Sequence, residues 1–200
     1  PMLASLIERR PGLRVPGAWD RFELAVRAVL GQQITVDAAR RLAGALVQAC
    51  GECATHASGD GVSMLFPDPA RLAEADLDAL GMPRARKAAL KSLAAASVRD
   101  PRLFEPAASL DDAIARLRAI PGIGEWTAHY IALRAMHETD AFPATDAGLL
   151  RAADALGIAA TSKALLARAE AWQPWRAYAA QQLWAADVEA LGMKKEVVHG

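Results

Sequence analysis

In the stretch IPGIGEWTAHYIALRAMHETDAFPATD (120–146), three residues are of a type and placing that could do chemistry. Gly122 and Gly124 stand where a helix is about to begin, and Asp146 stands at the mouth of the next one. A helix starts with N–H groups that have no partner inside the helix. Those donors and the positive helix end together make an anion site. Glycines let an outside group come close to that backbone, and they also take angles closed to other residues. A phosphate fits there without a lysine. The competing reading is a tight turn between packed helices. For Asp146 the choice lies between a plain helix cap and a fixed carboxylate that stabilises positive charge in a site poor in water. Cys50 and Cys53 form a C-x-x-C pair, which can be a redox site or half a zinc site. With no second pair and only His56 nearby, they read as two reduced thiols at a helix end.

Positioning such groups needs a folded scaffold, and the chain can supply one. It has 200 residues, of which 53% are hydrophobic, enough for one sizeable domain or two small lobes. No apolar run approaches the ~20 residues of a membrane span. The N-terminus has no signal-peptide pattern, and the low cysteine count fits the cytosol. The start at Pro1 reads as a processed chain or a piece of something longer. Formal net charge is zero, which argues mildly against a partner held by bulk electrostatics. Backbone dipoles at a glycine-rich helix start weaken that objection. The segment PRARKAALK (83–91) carries four basic residues and no acid, a solvated helix face or a local basic patch.

The pattern is helical throughout. WDRFELAVRAVLGQQ puts Phe22, Leu24, Ala25, Ala28, Val29 and Leu30 on one face, and Gly31 ends or kinks that helix. Thr35 caps a helix closed by Gly51, and Asp68 with Pro69 opens a short one. Pro83 starts a longer one. Ser109, with Asp112 three residues on, approximates a capping box. Further helices are expected from Asp146 to Ala155, from Ser162 to Trp172, and after Pro174. Residues 54–69 read as a surface loop and the tail GMKKEVVHG as frayed. Trp172 and Trp175 read as core aromatics, and Asp140 as a solvated loop acid.

Taken in order, LRAIPGIGEWTAHYIALRAM and DAFPATDAGLLRA resemble the helix-hairpin-helix and Gly/Pro-Asp motifs of base-excision DNA glycosylases. The blocks FELAVRAVLGQQIT, FPDPARLAEADLDALGMPRARKAAL and QPWRAYAAQQLW resemble the 3-methyladenine glycosylase II branch of that superfamily. The resemblance covers nearly everything after Arg14.

It implies an all-α, two-lobed fold acting as one catalytic domain over residues 1–200, with the hairpin at 117–130 and a catalytic loop at 140–148. An N-terminal β-rich domain that relatives carry has no counterpart in these residues. The backbone at Gly122, Gly124, Trp126 and Thr127 would hold a DNA phosphate. Main-chain carbonyls of Arg118, Ile120 and Ile123 would hold a monovalent cation, sodium or potassium, which suits oxygen ligands. Asp146 would be the catalytic acid, facing a sugar that turns positive as its bond to a base breaks. Trp126, Tyr130 and Trp184 would grip the everted base, and an electron-rich pocket suits cationic alkylated purines. Gln33, with Gln32 as second candidate, would fill the gap left in the duplex. The competing reading for these two is that one ties the hairpin backbone together.

Trp126 stands where bifunctional members carry an amine nucleophile, and no four-cysteine cluster follows. The expectation is therefore a monofunctional glycosylase with no catalytic cofactor and no iron–sulfur centre. Its partner would be damaged double-stranded DNA, with no membrane. The protein would be monomeric, bacterial, cytoplasmic and nucleoid-associated. A helix-hairpin-helix module that binds DNA without chemistry, or a glycosylase for deaminated or oxidised bases, are the alternatives.

Overall fold

The computed structural model describes residues 3–54 and 63–198, with side chains to residue 192. His56 and the rest of 55–62, half of the expected 54–69 loop, lie outside the described residues. Ten α-helices are described: α1 (Ala4–Arg9), α2 (Arg21–Leu30), α3 (Val36–Cys50), α4 (Pro69–Glu74), α5 (Arg84–Arg99), α6 (Leu110–Arg118), α7 (Glu125–Ala135), α8 (Ala147–Ala155), α9 (Ser162–Ala169) and α10 (Arg176–Val198). A 3₁₀ turn (Glu170–Trp172) follows α9. None of the described helices is long and apolar enough to cross a membrane.

The expectation of an all-helical chain needs one small amendment. Two-residue strands β1 (Glu52–Cys53) and β2 (Met64–Leu65) pair antiparallel across the loop. Segments this short carry too little alternation to be read from sequence.

The chain divides into two compact units. The hairpin unit, Ala18–Met136, holds α2 to α7. There α2 packs on α3, α5 and α7, α4 on α5, and α6 on α7. Its core is built from fully buried leucines and isoleucines, among them Leu30, Leu46, Leu72, Leu90, Leu93, Leu117 and Ile131. Each such side chain contributes about 1.5–3 kcal/mol on burial. The expected face of α2 is buried at Phe22, Ala25, Ala28, Val29 and Leu30, with Val26 added and Leu24 half-buried. The terminal unit, Pro1–Gly17 with His137–Gly200, holds α1 and α8 to α10. Here α10 packs on α8 and α1, over Leu6, Phe142, Leu149 and Leu183.

Side chains set most helix starts, each cap contributing about 1 kcal/mol. Thr35, Asp68 and Ser109 accept from Ala38, Arg71 and Asp112 N–H groups as expected. Asp20 and Thr161 do the same for α2 and α9. The tail is not frayed at once: α10 continues to Val198. Nor is PRARKAALK simply a solvated face. Arg86 donates to the Gln32 carbonyl, Lys87 to that of Asp78 and Lys91 to that of Ala73, so three of its four cations tie the hairpin unit together.

Candidate active site

The hairpin joins α6 to α7 through Pro121–Gly124. Ile120 N–H donates to Leu117 and Ile123 N–H to Ile120, closing two successive turns. Gly122 sits at φ +88°, a left-handed angle that glycine takes without a steric penalty. A Cβ there would lie 2.4 Å from the Ala89 Cβ of α5, so this glycine also makes room for close packing. Gly124 is different. Its φ is −83°, open to any residue, and nothing lies within 4 Å of where its Cβ would stand. It caps α7 with no side-chain hydrogen bond. Gly124 therefore leaves an open approach to the helix start, while Gly122 answers a packing demand.

Gln32 braces this turn. Its amide donates to the Gly122 carbonyl at 3.1 Å and to Thr127 Oγ1 at 3.0 Å. Gln32 is thus the residue that ties the hairpin. The Thr127 side chain is buried and occupied by that bond, leaving only its main chain for the expected phosphate role. Gln33, next in line, is exposed and held at φ +57°. Of the three main-chain oxygens expected to hold a cation, those of Arg118 and Ile120 have lone pairs to spare. Arg118 closes α6, where helix carbonyls lack intrahelical donors. Ile120 O accepts a single N–H at 3.1 Å and retains a second lone pair.

Along α7 the Trp126 and Tyr130 rings stack, with centroids 5.3 Å apart and planes 17° from parallel. The Arg134 guanidinium lies 5.7 Å from the Tyr130 centroid. Trp126, Tyr130 and Arg134 form a ladder at four-residue spacing, a periodicity that was there to be read. All three belong to the hairpin unit.

In the terminal unit, the loop into α8 turns twice, with Ala144 N–H on Phe142 O and Asp146 N–H on Pro143 O. Asp146 caps α8 and is half-buried. Its Oδ1 accepts from Gly148 N–H at 2.9 Å, Leu149 N–H at 3.0 Å and Trp184 Nε1–H at 2.8 Å. The cap reading and the candidate acid are one residue, and Trp184 reaches it through its N–H. Asp140, expected to be a solvated acid, is instead held by Arg176 in a two-pronged ion pair at 2.7 and 2.6 Å. Trp172, expected in the core, is only half-buried and packs edge-on against the buried Phe142. Trp175, also expected in the core, is instead 57% exposed, with its ring against the edge of Tyr178.

Arg151 and Asp187 escaped the sequence reading. Asp187 is 8% exposed and takes both prongs of Arg151, at 3.0 and 2.6 Å. The partners are 36 residues apart, so no local spacing pointed to them. The cysteines are free thiols in unlike surroundings. Cys50 is buried, its Sγ–H donates to the Leu46 carbonyl, and burial pushes its thiol up from the ordinary value. Cys53 is exposed.

The family model described as "HhH-GPD superfamily base excision DNA repair protein" matches residues 26–177. The probable bifunctional transcriptional activator/DNA repair enzyme AlkA of Mycobacterium tuberculosis is 40% identical over 184 residues, covering 92% of this chain and 37% of that protein. DNA-3-methyladenine glycosylase 2 of Escherichia coli is 38% identical over 185 residues, covering 91% and 63%. This chain thus spans less than two thirds of the length of either relative. A 3-methyladenine DNA glycosylase of Schizosaccharomyces pombe, in complex with abasic DNA, superposes with a TM-score of 0.70 at 25% identity, covering 92% of this chain and 90% of that one. The matched span takes in the braced hairpin, the Asp146 loop and the start of α10, and on that ground the chain belongs to the HhH-GPD superfamily of base excision DNA repair proteins.

Proposed function

We propose that this chain is a monofunctional DNA glycosylase. It everts an alkylated purine, chiefly 3-methyladenine, from duplex DNA and hydrolyses the bond between base and sugar. The observation that carries this reading is Asp146: a half-buried carboxylate whose orientation three donors fix at the start of α8. As the bond breaks, its electron pair leaves with the base and positive charge develops on the sugar. A carboxylate already oriented needs no reorganisation to stabilise that charge. Water adds to the sugar carbon and loses a proton, and an abasic site remains. A cationic alkylated purine departs as a neutral base, so the catalyst has less to supply.

The backbone at Gly122, Gly124, Trp126 and Thr127 takes the role of phosphate holder, supported by the open approach at Gly124. A sodium or potassium ion on the carbonyls of Arg118, Ile120 and Ile123 would add positive field beside that phosphate. Trp126 and Tyr130 offer the stacking faces, and Gln33 is the exposed candidate for the gap in the duplex. Trp126 in place of an amine supports hydrolysis by water, without strand cleavage. The names of the Escherichia coli and Schizosaccharomyces pombe relatives support the substrate class. Damaged double-stranded DNA is the partner in this reading, and the protein acts as a monomer in the cytoplasm.

The test is single-turnover base release from alkylated duplex DNA by the natural chain and by Asp146→Asn. The expected loss is at least about 100-fold, the scale for removing a preorganised charge-stabilising group. Equal release by both removes Asp146 from the mechanism. Tight DNA binding with no release by either assigns the chain to DNA binding without chemistry.

A further inference from the structure

Within the terminal unit, α8 and α10 are joined twice at neighbouring points. Trp184 Nε1–H donates to Asp146 at 2.8 Å, and three residues further along α10 Asp187 holds Arg151 at 3.0 and 2.6 Å. Both links converge on Gly148. A Cβ there would stand 3.1 Å from Asp146 Oδ1, 3.2 Å from Asp187 Oδ2 and 3.2 Å from Trp184 Cδ1. The missing side chain is what lets two carboxylates and an indole meet against one stretch of backbone.

Two carboxylates gathered against one stretch of backbone repel unless a cation offsets them. Arg151, paired with Asp187 and also acted on by the Asp146 charge, is such a cation. The Asp187 carboxylate raises its guanidinium further above the ordinary value, and Asp146 adds a smaller share. As a source of stability the pair is a poor choice. Asp187 is almost wholly buried but the Arg151 side chain is 55% exposed, so solvent screens the pair and limits what it contributes. Direction is what the pair offers and an apolar contact lacks. A two-pronged arginine–carboxylate contact sets both separation and rotation of the helices that carry it.

We propose that Arg151 and Asp187 are positioning residues. They hold α10 against α8 in the register that keeps the Trp184 N–H on Asp146, and Gly148 provides the space. The consequence for catalysis rests on the proposed glycosylase activity; the consequence for the indole bond does not.

Two readouts separate these layers. The first is hydrogen exchange of the Trp184 indole N–H by NMR, its signal assigned with Trp184→Phe. Asp187→Asn is expected to speed that exchange about tenfold or more, while the other indoles keep their rates. The second is the split between binding and release. Asp187→Asn should lower single-turnover base release about tenfold and leave affinity for abasic DNA within about twofold. The double variant Arg151→Leu/Asp187→Leu should regain thermal stability without regaining indole protection or rate. If Asp187→Asn does not fold, Arg151→Lys serves for the same readouts, because it keeps the charge and loses the fork.

Unchanged indole exchange in a folded Asp187→Asn or Arg151→Lys overturns the proposal. So does a leucine pair that restores both protection and release, since the ion pair is then only packing. Loss of DNA affinity with release unaltered makes Arg151 a phosphate contact instead, and also overturns it. If the natural chain releases no base, the activity reading fails, and the indole exchange still decides this one.

Discussion

Trp184 has a role its residue type only half suggests. A tryptophan expected in a base pocket reads as a stacking surface, yet here its N–H is committed to Asp146 at 2.8 Å. Hydrogen bonds to charged groups contribute about 1.5–3 kcal/mol. Trp184→Phe keeps an aromatic ring and removes the donor. Base release is expected to fall about tenfold, the equivalent of about 1.4 kcal/mol, while affinity for abasic DNA changes little. Full release from Trp184→Phe assigns the residue to stacking alone, and an affinity loss as large as the rate loss does the same. The acids show how far local pattern reaches. Asp146 was legible because its chemistry and its cap both lie in adjoining residues. Asp140 was misread as solvated because its partner Arg176 lies 36 residues away.

For elements, the hairpin assigns different work to two glycines that look alike in sequence. Gly122 is held at φ +88° with Ala89 of α5 against it. Gly122→Ala meets both strain and collision, so a loss of about 2–4 kcal/mol is expected in denaturant unfolding. Gly124→Ala meets neither, and its cost as a poorer cap is under about 1 kcal/mol. On DNA the order reverses in meaning: Gly124→Ala should fold normally and bind DNA at least about tenfold more weakly, because its methyl stands in the approach to the helix start. Equal stability loss in the two variants, or normal DNA binding by Gly124→Ala, contradicts this division. Helix positions themselves were largely legible, since caps and periodicity act over three or four residues. That one glutamine could brace the hairpin was legible, but that it is Gln32, reaching 90 residues on to Gly122 and 95 to Thr127, was not.

For the whole molecule, zero net charge must be reconciled with the polyanionic partner proposed above. Many of its cations are already engaged. Arg10, Arg27, Arg71, Lys87, Arg102, Arg118, Arg151 and Arg176 each pair with an acid in the structure. These eight of the 23 lysines and arginines are already partly neutralised, and main-chain N–H groups carry much of the proposed contact. The dependence of log K on log salt for duplex binding should therefore be shallow, with a slope smaller in magnitude than about 5. A slope near −8 points to a broad basic footprint and removes the argument from backbone dipoles.

The order of helices, most of their caps, the glycine turn and the acid at the next helix mouth were set by the sequence alone, because each depends on residues within one or two turns of each other. Tertiary structure decided that Gln32 braces the turn and that Gly122 alone answers a packing demand. It decided too that Asp140 is paired, and that Arg151, Asp187 and Trp184 gather around Asp146. Those outcomes depend on which helix faces meet. That is settled by burying apolar surface over the whole of each unit, and no short window of residues records it.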